Sequence, residues 1–510
     1  MLNMKDLETW LWDAACSIRG ATEAAKYKDY ILPLIFIKRL SDVFDDEIEK
    51  LSKKFGSKEN AYKVVEQAKN SPDTRLVRFF IPKEASWQII RTLSTDIGEK
   101  LDDTTRLISK HNPKLQGVID VISFNASVSG QRIIADSKLS KLIEIISRHK
   151  IGLEDAEPDV LGRAYEYLIG KFAEGSGKSA GEFYTPKEVA WLMAYILDPK
   201  PGEEVYDPTC GSGGLLIKTQ LALNENHKNA DKPLKLYGQE QDSFTYAIAK
   251  MNMTIHDMEG EIAIGDTLTS PKFRDGNSLK KFDIVSANPM WNQDGYDSNF
   301  YEQDKFGRFP YGFLSAQSAD WGWVQHMHAS LKESGRMAIV LDTGAVSRGS
   351  GGANTNKERE VRKAFVDNDF VEGVLLLPDN LFYNTSAPGI ILFINKHKPV
   401  NRKGKTILIN ASKEFEKGKE SSKNYITQEG IKKIVKAFQN FEEIEKFSRV
   451  IPNEEIIKND YNLSPSRYVQ NGVDIELQDI PTLLSEIKVL EQEEKDIDKK
   501  LEEIFKKLKL

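Results

Sequence analysis

Asp207-Pro208-Thr209-Cys210-Gly211-Ser212-Gly213-Gly214 follows the short apolar run at residues 204–206, and Asn288-Pro289-Met290-Trp291 follows Asp283-Ile284-Val285-Ser286-Ala287. A short apolar run, a glycine-rich turn and then a helical stretch make one strand–turn–helix unit. Outward from it the alternation repeats. Candidate strands lie at 204–206, 236–239, 262–264, 283–287, 336–341, 371–377, 389–394 and 406–409. Most are separated by segments long enough for a crossover helix. This predicts an α/β domain over residues 171–425, built on a doubly wound, mainly parallel sheet. Ligands in such sheets sit beyond the carboxyl ends of the strands, where both quoted motifs fall.

The flanks read differently. Residues 1–170 show helical spacing at Leu7, Trp10, Leu11 and Ala14, at Ile31, Leu34, Ile35 and 37–40, and over 142–146 and 160–172. A helical N-terminal domain is expected. Residues 426–510 return to helix. Ile487, Leu490, Ile497, Leu501, Ile504 and Leu508 fit heptad core positions, with Glu494 filling one slot. This predicts a short coiled-coil helix, serving either its own domain or a partner's helices.

A chain of 510 residues is expected to hold two or three domains. No apolar run is long enough to cross a bilayer, and the start lacks a signal-peptide pattern. The two cysteines, Cys16 and Cys210, stand far apart and outside any Cys-x-x-Cys motif. That argues against a disulfide framework and a zinc site, so no metal is expected, and it fits a reducing cytoplasm. A net charge of −6 does not mark a nucleic-acid binder. Work on DNA or RNA would need a local basic patch or a partner's grip. Residues 402–423 carry seven basic and three acidic side chains, which suits a phosphate contact or, more simply, a solvated loop.

Gly211, Gly213 and Gly214 allow a turn whose N–H groups approach a ligand closely, because glycine has no Cβ. Asp207 ends the strand before it, and Ser212 lies within it. Glu240 ends the next run and can accept from both hydroxyls of a ribose. The spacing is not G-x-G-x-x-G, which disfavours a nicotinamide or flavin cofactor. A plain glycine turn is the simpler alternative. Asp266 closes a third run, either as acceptor for an adenine amine or as a helix cap. Gly175-Ser176-Gly177-Lys178-Ser179 imitates the end of a P-loop, but Phe172 stands where that loop needs glycine, and a flexible loop is the better reading.

An exocyclic amine conjugated to a ring is a poor nucleophile. The Asn288 side-chain carbonyl and the Pro289 main-chain carbonyl can each accept one of its N–H bonds. That aligns the nitrogen with a methyl donor and stabilises developing positive charge. A sulfonium donor needs no metal. Trp291 offers a face on which a flipped-out base can stack. Alone, Asn-Pro would read as a turn. Beyond a strand of the same sheet as the glycine turn, it reads as an amine site.

These residues resemble the amino-methyltransferases of DNA, in the gamma order of motifs found in adenine-N6 enzymes. More specifically, the chain resembles the modification (M) subunits of type I restriction–modification systems. Asp159-Val160-Leu161-Gly162 with Tyr165-Glu166-Tyr167-Leu168 is similar to the segment before the catalytic domain. Gly181-Glu182-Phe183-Tyr184-Thr185-Pro186-Lys187 is similar to the element lying over S-adenosylmethionine. Asp320-Trp321, Val324-Gln325-His326, Gly335-Arg336, Leu377-Pro378, Leu381-Phe382 and Pro388-Gly389 resemble later parts of the pattern in the right order. The resemblance implies an S-adenosylmethionine-dependent methyltransferase fold. It implies cofactor contacts at Glu182, Phe183, Tyr184, Thr185, Pro186 and Lys187, at Ser212, Gly213 and Gly214, and at Glu240. Asn288, Pro289 and Trp291 take the catalytic role. Met290 replaces the family's second proline. The implied partners are DNA, a specificity (S) subunit flanked by two M subunits, and a restriction (R) subunit.

Four other readings fit less well. Methylation of a protein glutamine would use similar N–H donors, but the large helical N-terminal domain and the later strands count against it. A single-chain restriction–methylation enzyme would need a nuclease motif and a motor, and a stand-alone adenine methyltransferase would need its own target-reading domain. A non-catalytic assembly protein would have no use for intact Asn288 and Pro289.

Overall fold

The computed structural model describes residues 2–20, 27–69, 76–119, 123–128, 130–156, 160, 162, 164, 167–168, 185–227, 231–294, 296–313, 318–352, 356–382, 385–418 and 423–470. The chain divides into two compact units, Met1–Val469 and Gln470–Leu510. The heptad positions from Ile487 to Leu508 fall in the second, outside the described residues.

The N-terminal region is helical, as its periodicity predicts. Helix α1 (Met4–Ser17) starts at Asn3, whose side chain accepts from the Asp6 N–H. It buries Leu7, Trp10, Leu11 and Ala14. Helix α2 (Tyr27–Phe55) is buried on every side through its middle. Helices α3 (Lys58–Ala68), α4 (Ile97–His111) and α5 (Asp136–Ile146) pack around it.

Helix α6 (Lys187–Leu197) leads into the sheet. Strand β1 (Glu204–Asp207), helix α7 (Gly214–Asn226), strand β2 (Lys235–Glu240), helix α8 (Ser243–Ile255) and strand β3 (Gly260–Ile264) form one half. Strand β4 (Phe282–Ala287), helix α9 (Asp320–Ala329), strand β5 (Leu331–Asp342), helix α10 (Lys357–Asp367) and strand β6 (Val371–Leu376) follow. Strand β7 (Gly389–Asn395), strand β8 (Lys405–Asn410), helix α11 (Gln428–Asn440) and strand β9 (Ser448–Pro452) complete it. The order across the sheet is β9-β8-β6-β7-β5-β4-β1-β2-β3.

From β3 across to β5 every pairing is parallel. Strand β7 runs antiparallel between β5 and β6, because the described part of the connection over residues 377–388 turns straight back without a helix. Strand β9 pairs antiparallel with β8 at the edge. This extends the sheet past residue 425, where the sequence reading ended the catalytic domain and expected only helix. Ser448-Arg449-Val450-Ile451-Pro452 is short and buries little, and its place is fixed by backbone pairing that leaves no apolar signature.

Alternation along the strands divides the core into two layers. Tyr206, Val285, Met337 and Ile339 face Trp321 and Val324 of α9 and Phe365 of α10. Val205, Ile284, Ala338 and Val340 face Leu192 of α6, Leu216 of α7 and Ile434 of α11. The N-terminal helices join a third cluster with Ala247, Ile248, Met251 and Ile255 of α8. The chain path reverses between β1 and β4, so the two motifs end on neighbouring parallel strands at the switch point. Among the described residues, no helix is long and apolar enough to cross a membrane.

Candidate active site

The first turn is shaped by its main chain. Gly211 (φ 53°) and Gly213 (φ 83°) adopt the left-handed region that glycine enters freely, and α7 starts at Gly214. The Cys210 N–H donates to the Gln239 carbonyl at 3.0 Å, and the Gly211 N–H donates to Glu240 Oε2 at 3.0 Å. The Asp242 N–H donates to Glu240 Oε1 at 2.9 Å. From behind, Asn252 Nδ2 of α8 donates to the Ser212 carbonyl at 3.0 Å. Close approach requires Gly238 on β2, where an added Cβ would lie 2.8 Å from Cys210 Sγ.

Asp207 is 1% exposed and accepts from the Thr209 N–H at 2.9 Å. Burial pushes its carboxyl up to about 8, and the charge of Glu240 adds to the rise. Burial raises the Glu240 carboxyl as well. Asp266, beyond β3, receives the Leu268 N–H and the Thr269 hydroxyl, and the Tyr296 hydroxyl reaches it at 3.3 Å. Its oxygens therefore cap a turn.

Side chains shape the second turn. Asn288 is 6% exposed. Its Nδ2 donates to Thr185 Oγ1 at 3.1 Å, and its Oδ1 accepts from Trp291 Nε1 at 3.2 Å. Pro289 is buried beside it. Trp291 departs from expectation: it is 7% exposed and meets Phe382 edge-on, with ring centroids 4.6 Å apart. Gly389 of β7 makes room for it, since a Cβ there would lie 2.7 Å from the Trp291 ring. The indole belongs to the core layer that faces α6, α7 and α11.

Asn292, with φ 51°, follows and is tied to Arg348 Nη1 at 3.2 Å. Arg348 also donates to Asp342 at the end of β5 (2.6 Å), to Glu358 of α10 (2.7 Å) and to Asp320 of α9. Burial works against its charge, but Glu358, Asp320 and Asp342 outweigh that and hold the guanidinium above its ordinary range. Asp320 is fully buried; desolvation raises its carboxyl while Arg348 pulls it back.

Two family models match this chain: the N-6 DNA Methylase over residues 156–476 and the HsdM N-terminal domain over residues 7–146. The chain belongs to the N-6 DNA methylase family. Within it, the chain is 35% identical to the type I restriction enzyme MjaVIII methylase subunit of Methanocaldococcus jannaschii, covering 93% of this chain and 81% of that one. It is 28% identical to the MpnII methylase subunit of Mycoplasma pneumoniae, covering 99% and 96%. The crystal structure of a type I restriction-modification system methyltransferase subunit from Streptococcus thermophilus superposes with a TM-score of 0.71 at 29% identity, covering 91% of this chain and 99% of that one. The chain is thus a DNA methyltransferase of the type I kind, a modification subunit.

In this methylase subunit the structure gathers Asp207, Gly211, Ser212, Gly213, Gly214 and Glu240 around one turn, and Thr185 beside Asn288. Pro186 and Lys187 follow Thr185 into α6. Glu182, Phe183 and Tyr184 lie outside the described residues, as do Gly175 to Ser179 and much of the segment from Asp159 to Leu168. Sequence reasoning missed Arg348, which no motif marks, although its partner Asp320 stood in a quoted segment. Two residues of the basic stretch turn inward. Arg402 binds Glu372 at 2.9 Å, and Lys423 donates to Asn380 at 3.1 Å and to the Phe382 carbonyl at 2.6 Å. Lys423 thereby braces the loop against which Trp291 packs.

Proposed function

We propose that this subunit transfers a methyl group from S-adenosylmethionine to N6 of an adenine flipped out of duplex DNA, with sequence choice left to a separate specificity subunit. The observation that carries the reading is the placement of Asn288 and Pro289 at the end of β4, directly beside the glycine turn of β1.

The first turn fits the cofactor. A Cβ added at Gly211 would meet no atom within 4 Å, so the turn faces open space. The Glu240 carboxylate is held by main-chain N–H groups, among them those of Gly211 and Asp242, and keeps lone-pair capacity for ribose hydroxyls. When bound, S-adenosylmethionine supplies an electrophilic methyl on a sulfonium leaving group. Asn288 Oδ1 and the Pro289 carbonyl accept the two N–H bonds of the amine and hold its lone pair toward the methyl. As the C–N bond forms, the amine becomes cationic and these acceptors stabilise it; the extra proton then leaves to solvent.

The net charge of −6 and the inward use of Arg402 and Lys423 support a division of labour. In our reading two such subunits flank one specificity subunit, a restriction subunit joins for cleavage, and the complex works in the cytoplasm. The test is transfer of labelled methyl to duplex DNA, followed by nucleoside analysis. Label is expected in N6-methyladenine and only with an added specificity subunit. Label in cytosine or protein overturns the target, and site-specific transfer by the chain alone overturns the division of labour.

A further inference from the structure

Asn288 has to present a carbonyl, and its own rotamer does not secure one. The last torsion of an asparagine is broad, so the amide plane turns unless its ends are held. One end is held within the motif: Oδ1 accepts from Trp291 Nε1 at 3.2 Å and keeps a second lone pair for the target amine. The other end reaches 103 residues back, where Nδ2 donates to Thr185 Oγ1 at 3.1 Å. The sequence reading gave Thr185 to the cofactor. The geometry gives its hydroxyl to the amide.

Thr185 is built to hold an acceptor still. Its side chain is branched at Cβ, which restricts χ1. The proline after it biases its backbone toward extended conformations. Pro186 is buried, and its carbonyl opens α6 by accepting from the Ala190 N–H at 3.0 Å. Helix α6 in turn buries Val189, Leu192, Met193 and Leu197 in the layer shared with Val205, Ile284 and Val340 of the sheet. The oxygen that receives Nδ2 is thus anchored, through a proline, to a helix in the core. Asn288 is 6% exposed, so little water is at hand to replace a lost partner.

We infer that Thr185 is a positioning residue for methyl transfer: its hydroxyl holds the Asn288 amide plane so that the remaining lone pair of Oδ1 faces the target amine. This rests on the amine-methylation reading given above. A valine at 185 would keep the branched shape and lose the acceptor. The amide would then be held at one end only.

Two experiments test this. With 15N-labelled asparagine side chains, the Asn288 NH2 signal, assigned by its loss in Asn288→Ala, should exchange slowly with solvent in the wild type and in Thr185→Ser, and fast in Thr185→Val. Equal exchange in all three would overturn the hydrogen bond; this arm needs no methyl transfer, so its failure is separable from failure of the proposed function. The second arm uses the chain with its specificity subunit. At saturating cofactor and DNA, Thr185→Val should lower kcat about 5–10-fold, as expected for one lost hydrogen bond. Thr185→Ser, which keeps the hydroxyl, should recover most of that loss. In an Asn288→Ala background there is no amide to hold, so the Thr185→Val penalty should vanish. An undiminished penalty there would overturn the inference and return Thr185 to the cofactor alone, and so would an unchanged kcat in Thr185→Val. Should Thr185→Val not fold, Thr185→Cys carries the same test, because a thiol is a weak acceptor.

Discussion

The turns after β1 and β4 sit on neighbouring strands and are held by opposite means. The first is fixed by main-chain groups: Gly211 N–H on Glu240, Cys210 N–H on Gln239, and the Ser212 carbonyl under Asn252. The second is fixed by side chains arriving from distant parts of the chain: Thr185, Phe382 and Arg348. A ligand recognised by its shape and hydroxyls can be served by backbone. A reacting nitrogen needs one oxygen in one place, which only a side chain locked by others supplies.

That contrast predicts a separation of effects. The largest should come from Asn288→Ala, which removes an acceptor for the developing charge. Methyl transfer should fall by about 10²–10³-fold, while cofactor binding measured by calorimetry stays near wild type. Normal turnover would remove Asn288 from the mechanism.

Arg348→Ala comes next. It strips the counter-charge from Asp320, which is fully buried. Loss of a buried partner costs about 3–5 kcal/mol, and the partial exposure of Arg348 places the change near 3 kcal/mol. Denaturant unfolding should register it. Where the variant remains folded, kcat should drop and cofactor affinity should hold, because Arg348 reaches only the second turn, through Asn292.

Gly213→Ala should do the reverse. The nearest atom to the new Cβ is 3.8 Å away, so there is room, and the cost is the left-handed backbone alone. At about 1–2 kcal/mol, cofactor affinity should weaken roughly 5–30-fold, with kcat at saturating cofactor little changed. Equal damage to both parameters would show that the two turns move as one.

The remaining effect is a pH slope. The Asp207 carboxyl rises to about 8 on folding, so the folded chain holds its proton more tightly than the unfolded chain does. Its contribution is complete below the ordinary carboxylate value near 4 and is lost as pH climbs through about 8. Asp207→Asn mimics the neutral carboxyl and should flatten the fall in melting temperature between pH 6 and pH 9. A parallel decline in the mutant would assign the slope to another group.

The same contrast sets what the sequence disclosed. All eight runs read as strands are strands, because a buried strand must be apolar and punctuated by turns, and both constraints are local. The glycine turn was legible because positive φ leaves a mark on composition. Strand β9 was not: an edge strand needs only backbone bonds on one side, and Ser-Arg-Val-Ile-Pro carries no compelling pattern. Asn288 was legible from its chemistry, but its surroundings were not. Nothing in the spacing says that Thr185 lies beside its amide, that Arg348 grips Asn292, or that Gly389 is bare where the edge of Trp291 approaches. Those are facts of tertiary assembly. They also reverse the expected exposure of Trp291, since a large aromatic beside a reactive group reads as a platform when its neighbours are unseen.

One earlier detail bears on how such proteins can be cut and recombined. Helix α8 faces two ways: Asn252 supports the glycine turn, while Ala247, Ile248, Met251 and Ile255 belong to the core of the N-terminal helices. Arg78 also caps its last turn through the Ile255 carbonyl at 2.9 Å. A border near residue 170 is therefore one of chain order and not of substance. A fragment starting there would carry a raw apolar flank on the helix that supports its own cofactor loop. Exchange of N-terminal halves between relatives should succeed only when the outward face of α8 travels with them, which makes that helix the natural unit of inheritance between the two regions.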